Sequence, residues 1–338
     1  AIELARDGFP LPADIARQFA QRSERLGRFP GGRAAFQKSD GTKYVAGDLW
    51  KQPDLAKTLE RIARRGRAGF YEGDTADMLV SEMRRHGGLI SHDDLKDYRS
   101  VWRDPIVGAY RDYSVVSMPP PSSGGALLIQ ILNMMEPFAV GAMGYGSADV
   151  MHLMVEAERR AYADRAEHLG DPDFYRVPLQ QLVDKGYARQ RFKGFDPDRA
   201  GISADVNAGA FAHESKETTH LSIMDRTGNA VALTTTLNSG YGSHIVVEGA
   251  GFLLNNEMDD FSSKPNTLNQ FNLIGREANA IEPRKRMLSS MTPTVVLRDG
   301  KPFLVTGSPG GSTIITTVLQ VLVNVIDHGM TLSEAVSS

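Results

Sequence analysis

The sequence predicts an α/β protein of the α+β kind, in which helices and antiparallel strands stack in layers. Three observations carry this reading. Alternating, β-branched runs cluster at 105–117, 218–237 and 293–306; apolar residues at helical spacing come before and after them; and strands do not alternate one-for-one with helices, as a parallel sheet would require. With 338 residues, 41% hydrophobic and 23% charged, the chain has the make-up of a globular protein able to bury a large core, as one big domain or two smaller ones.

In chain order, the first third alternates short amphipathic helices with turn clusters such as Arg28-Phe29-Pro30-Gly31-Gly32 and Glu72-Gly73-Asp74-Thr75. The basic run from Arg61 to Arg67 reads as the solvated face and C-terminal end of a helix starting near Asp54. Residues Pro105 to Ser117 read as two strands turning at Arg111-Asp112. Three prolines, Pro119 to Pro121, then forbid helix, and Gly124-Gly125 permit close backbone approach before an apolar helix begins at Ala126. A long helix is expected from Ser147 to Leu169, with Val150, Leu153, Met154, Ala157, Ala161 and Tyr162 on its apolar side. Residues 184–216 turn polar and rich in Gly, Ala and Asp, the composition of an exposed connector.

Two alternating runs follow, Thr218 to Met224 and Ala230 to Leu237, joined by Asp225-Arg226-Thr227-Gly228-Asn229, so a hairpin is predicted. A connector that ends at the first residue of a strand is a place where a chain can be cut without unfolding the sheet. Strands are expected at Pro293 to Leu297 and Phe303 to Thr306, and a buried helix at Thr313 to His328.

Composition excludes several function classes. A net charge of −3 gives no electrostatic reason to bind nucleic acid or an anionic membrane. The absence of cysteine removes thiol catalysis, Cys-based zinc sites and disulfides. No stretch approaches ~18 uninterrupted apolar residues, so no membrane segment is read in this chain. His152 and Glu156 lie one helical turn apart but lack a third ligand, and a hydrogen-bonding pair is the expectation there, with no metal.

Four segments carry chemistry. Gly307-Ser308-Pro309-Gly310-Gly311-Ser312 joins a strand to a helix; without a Lys after Gly311 it is no nucleotide P-loop, which leaves an oxyanion hole or simply a tight turn. Strand alternation puts Thr234, Thr236 and Asn238 on one face. Asn255-Asn256-Glu257-Met258-Asp259-Asp260-Phe261 concentrates amides and carboxylates suited to an ammonium group, and its spacing does not fit a calcium loop. Ser289-Ser290 offers two adjacent hydroxyls outside any nucleophile elbow.

Taken in order, Pro119 to Gly125, Thr218-Thr219-His220, Leu254 to Phe261, Leu288-Ser289-Ser290-Met291 and Thr306 to Ser312 resemble the γ-glutamyltransferases, across essentially the whole chain. The resemblance implies the four-layer αββα sandwich of the N-terminal-nucleophile hydrolases and a precursor that cuts itself between Glu217 and Thr218. Residues 1–217 would belong to a large subunit and 218–338 to a small one, together forming one αββα unit. It further implies that Thr218 attacks the γ-carbonyl of glutathione or a related γ-glutamyl compound and passes the glutamyl group to water or an amino-acid acceptor. Thr236 would orient the nucleophile, Gly310 and Gly311 would hold the oxyanion, Asn238, Glu257 and Asp260 the α-amine, and Ser289 and Ser290 the α-carboxylate.

Phe271 stands where the family has a gate aromatic, often tyrosine, within a lid at 262–282, so a gate hydroxyl bond to Asn238 is not expected. No cofactor is implied, and bacterial members are mostly periplasmic or secreted. The family's carboxylate-binding arginine from an upstream segment and its last strands, beyond 331–335, are not in this sequence, so a part of a longer precursor is expected, one that by itself binds substrate weakly or not at all. Two runners-up are a related acylase of glutaryl side chains, which would have less use for Asp260, and an unprocessed member serving as a binding module.

Overall fold

Proline and glycine cut the first hundred residues into short helices, by their preference for helix starts and ends. In the computed structural model the described residues are 1–202, 218–262, 264, 267, 273 and 275–338. They group into two compact units, Ala1–Trp102 with Tyr241–Asn256, and Arg103–Gly240 with Glu257–Ser338.

In the first unit, helix α1 (Pro53–Arg65) opens on proline and stops at Gly66, whose φ is 56°. Helix α2 (Asp74–His86) carries Asp74 and Asp77 in its first turn and Arg84, Arg85 and His86 in its last, the order that suits the helix dipole. The basic run is a helix face and end, as expected: Arg61 donates to the Thr58 and Thr75 hydroxyls, and Arg67 to the carbonyls of Leu95, Lys96 and Tyr98. Phe19 meets Phe36 and Trp50 edge-on at centroid distances of 5.0 Å. Tyr241, which belongs to the returning segment, joins this cluster at 6.0 Å from Phe19.

The second unit is built on a sheet of four antiparallel strands. β1 (Ile106–Tyr110) and β2 (Tyr113–Ser117) form the expected hairpin, with Arg111 at φ 52° in the turn. The apolar helix α3 (Gly124–Met135) is buried at all twelve residues and packs on β1 and β2. It approaches closely at Gly108, where a Cβ would lie 2.7 Å from the Ile129 side chain. Helix α4 (Ala148–His168) starts at Ser147, whose hydroxyl accepts the Val150 N–H at 3.2 Å. Together with α5 (Lys185–Phe192), α4 covers α3. His152 and Glu156 of α4 have protein partners, the Asp196 carbonyl for His152 and the Arg159 and Arg160 guanidiniums for Glu156.

Strands β3 (Thr219–Met224) and β4 (Ala230–Thr235) form the second expected hairpin. Its turn is organised by Asp225, which accepts N–H bonds from Thr227 and Asn229 and bonds from both their side chains. β5 (Thr294–Arg298) and β6 (Lys301–Thr306) complete the sheet in the order β1-β2-β5-β6. The β3–β4 hairpin packs against β5 and β6, and its rungs Leu221–Leu233 and Ile223–Val231 are about half-exposed on their outer side. Helix α6 (Ile314–Ile326) packs on α3. Among the described residues, the strands of this unit thus form one four-stranded sheet and one hairpin.

Leu128 is fully buried in α3. Leu128→Ala is therefore expected to lower unfolding stability by roughly 2–5 kcal/mol, read as a fall in urea midpoint at unchanged slope. Its four hydrogen bonds hold the Asp225 carboxyl down at about 2. Its stabilising effect is present above the unfolded value near ~4 and is lost as pH falls towards about 2, so Asp225→Ala should flatten the acid side of the stability profile in that window.

Candidate active site

The register of the β3–β4 hairpin sets the first part of the site. Thr219 pairs with Thr235, so the next rung outward places Thr218 opposite Thr236 on the same face. The two hydroxyls meet at 3.2 Å, Thr218 donating to Thr236. The Thr236 oxygen also accepts the Asn238 N–H at 2.9 Å. Asn238 then leaves extended geometry at φ 75°, ending strand alternation, and its residue is almost completely buried. Thr234, further along the strand, bonds His220 Nδ1 at 2.8 Å and does not line the pocket.

The glycine loop comes next. Gly310 has φ 131° and Gly311 φ 55°, backbone that disfavours a side chain, and a Cβ on Gly310 would sit 2.9 Å from Thr313 Oγ1. The Gly310 carbonyl is held by the Thr313 N–H and hydroxyl. The loop opens a helical segment, whose first N–H groups have no intrahelical acceptor and sit at the positive end of its dipole. Gly307 lets the ring of His220 lie against the backbone, since a Cβ there would fall 2.2 Å from ring atoms. His220 thereby ties the start of β3 to the end of β6, and burial lowers its pKa.

The acidic segment forms a 3-10 turn over Glu257–Asp260. Burial pushes the Asp260 carboxyl up to about 7; the Arg165 charge opposes this, and Glu257 and Asp259 add to it. Burial also raises Glu257. Ser289 is fixed through its backbone, its N–H donating to the Pro121 carbonyl at 2.9 Å and its carbonyl accepting the Ser123 N–H at 2.8 Å.

These elements close on one small pocket. Thr218, Thr236, Asn238, Asp260, Ser289, Ser290 and Gly311 all line it. Glu257 and Gly310 are next to the wall, through the Asp260 turn and the glycine loop, without lining it. Glu217 and Phe271 lie outside the described residues. A hydroxyl, N–H donors for negative charge, a partly buried carboxyl and a pair of serines thus face a common space. Such a set can attack a carbonyl at one end and grip an amino acid's charged groups at the other.

Sequence reasoning missed Arg165, which lines the same pocket and is buried. The signal was present: Leu153, Ala157, Ala161 and Arg165 follow one another at four-residue steps on α4, so a charge continues the buried stripe.

The family model described as gamma-glutamyltranspeptidase matches residues 1–338. A glutathione hydrolase proenzyme of Escherichia coli is 50% identical over 340 residues, covering 100% of this chain and 58% of that protein. Among solved structures, a γ-glutamyltranspeptidase of Helicobacter pylori is 42% identical at TM-score 0.59, covering 60% of this chain and 58% of its own. A cephalosporin acylase of Bacillus halodurans superposes at TM-score 0.81 with 26% identity, covering 97% of this chain and 58% of its own. The chain therefore spans somewhat over half the length of the relatives it matches, and its fold is that of the N-terminal-nucleophile hydrolases. With the model matched from the first residue to the last, this chain belongs to the γ-glutamyltranspeptidase family.

Proposed function

We propose that this chain forms the catalytic core of a self-processing γ-glutamyltransferase and glutathione hydrolase with Thr218 as nucleophile. The observation that carries the reading is the convergence of Thr218, Gly311, Asp260 and the Ser289–Ser290 pair on one pocket. In the first step Thr218 Oγ attacks the carbonyl of Glu217 and the peptide nitrogen leaves as an amine, so that the acyl group moves from nitrogen to oxygen. Water hydrolyses the ester, which yields a carboxylate on Glu217 and a free α-amine on Thr218. That amine, with a pKa near ~7.7–8.0, then serves as general base for its own hydroxyl.

In turnover Thr218 Oγ attacks the γ-carbonyl, and the Gly310 and Gly311 N–H groups receive the developing oxyanion. The amine leaves, and water or an amino-acid acceptor takes the glutamyl group from the ester. Thr236 orients the nucleophile through the 3.2 Å contact. Asn238, Glu257 and Asp260 take the α-ammonium; the serine hydroxyls donate to the α-carboxylate. The large and small subunits would both derive from one precursor. Among the described residues no helix is long and apolar enough to cross a membrane. A periplasmic or secreted location is proposed on family resemblance alone.

The likeness to a cephalosporin acylase favours a second reading, cleavage of glutaryl amides. The two differ in the use of Asp260, since a glutaryl group has no amine. For the precursor, Thr218→Ala is expected to leave one uncut chain by mass spectrometry and to abolish release of a γ-glutamyl anilide chromophore; retained turnover would sink the mechanism. With Asp260 titrating at about 7, kcat/KM for the γ-glutamyl anilide should fall as pH drops through that value, because a protonated carboxyl no longer pairs with the ammonium. Asp260→Asn should reduce it by about 10²-fold, in line with ~3 kcal/mol for a buried charge pair. A glutaryl anilide turned over faster than the γ-glutamyl one would establish the acylase reading instead.

A further inference from the structure

We infer that Arg165, working through Ser123, is the positioning residue that aims the Ser289–Ser290 pair at the substrate's α-carboxylate. This rests on the γ-glutamyl reading of the pocket. Arg165 Nε donates to Ser123 Oγ at 2.9 Å, and Arg165 Nη2 donates to Ser290 Oγ at 3.2 Å. A guanidinium has no acceptor, so both serine oxygens must accept and each serine proton is turned elsewhere. The Ser123 proton goes to the Ser289 carbonyl, at 2.8 Å. The Ser290 proton is left for the pocket that Ser290 lines.

An unbraced serine can equally present a lone pair to an anion, which repels it; the Arg165 contact occupies one of the two lone pairs of Ser290 and so favours the rotamer that turns the proton to the pocket. One cation therefore fixes both members of the pair, Ser290 by its hydroxyl and Ser289 by its backbone. The Pro119 to Gly125 motif acquires a role in the same arrangement. Ser122 forms a parallel bridge with Ser289, and its hydroxyl donates to the Met291 carbonyl at 2.7 Å. Gly124 allows this contact, because a Cβ there would lie 2.4 Å from the Met291 carbonyl oxygen. Arg165 also places a positive charge behind the serines, with Asp260 on the same pocket, a polarity that matches the two ends of a zwitterion.

The test compares two anilides with the full-length precursor after processing: γ-glutamyl, and 4-aminobutyryl, which is the same group without its α-carboxylate. Ser123→Ala removes one arm of the brace without burying a new charge, and Arg165→Lys keeps the charge but loses the planar fork. Each variant should raise KM for the γ-glutamyl anilide by about tenfold, the loss of roughly one charge-assisted hydrogen bond, with kcat within about twofold. Neither should alter kcat/KM for the 4-aminobutyryl anilide, whereas a merely structural residue would affect both substrates alike. Unchanged KM in a folded Ser123→Ala enzyme, or equal losses on both anilides, overturns the brace while leaving the catalytic reading intact. An unsubstituted enzyme that turns over no γ-glutamyl anilide overturns that reading, and the brace with it.

Discussion

The pocket depends on the register of one hairpin. With Thr219 opposite Thr235, Thr218 and Thr236 become a facing pair just past the last ladder rung, where their hydroxyls reach one another. A slip of one residue would send Thr218 to the other face and leave the Gly311 and Asp260 walls without its hydroxyl between them. The turn at Asp225 is what holds the register, because its carboxylate gathers two backbone and two side-chain donors within five residues. His220, wedged on the bare backbone of Gly307, carries that alignment across to the glycine loop.

The same pocket holds two groups that proteins usually keep in water. Arg165 loses hydration by burial, which lowers its pKa, and burial raises that of Asp260. Opposite charges in one low-dielectric space offset part of that cost, and Ser123 and Ser290 offset more by accepting hydrogen bonds from the guanidinium. What is left over would favour a ligand carrying the complementary pair of charges.

Much of the fold was legible because local chemistry and tertiary packing agree. Helix α4 starts where its range was expected to begin, with Ser147 as its cap, and Arg111 takes the left-handed turn between β1 and β2. The burial of α3 follows from a run that is apolar except at Gln130 and Asn133, whose amides donate to the Asp164 carboxylate and the Val183 carbonyl. Most residues that line the pocket were legible, but not how they are wired together. Asn238 was expected on the face of Thr236 by strand alternation, yet it reaches the pocket by breaking the strand at positive φ. Arg165 escaped because a charge on an apolar stripe is recognisable only when its partners are known, and they lie 42 and 125 residues away along the chain. Gly124-Gly125 announced close approach but not what they approach, which for Gly124 is the Met291 carbonyl.

The sheet order β1-β2-β5-β6 takes two strands from each side of residue 217, and β2 is laddered to β5 along its whole length, from Tyr113 opposite Arg298 to Ser117 opposite Thr294. A break at that point would leave the two pieces stitched through the middle of their shared core, so dilution would not part them. Once unfolded, however, they would have to find each other again as separate molecules. Self-cleavage would thus turn a chain able to refold alone into one whose persistence is governed by how slowly it first comes apart, and heat or denaturant would inactivate it for good.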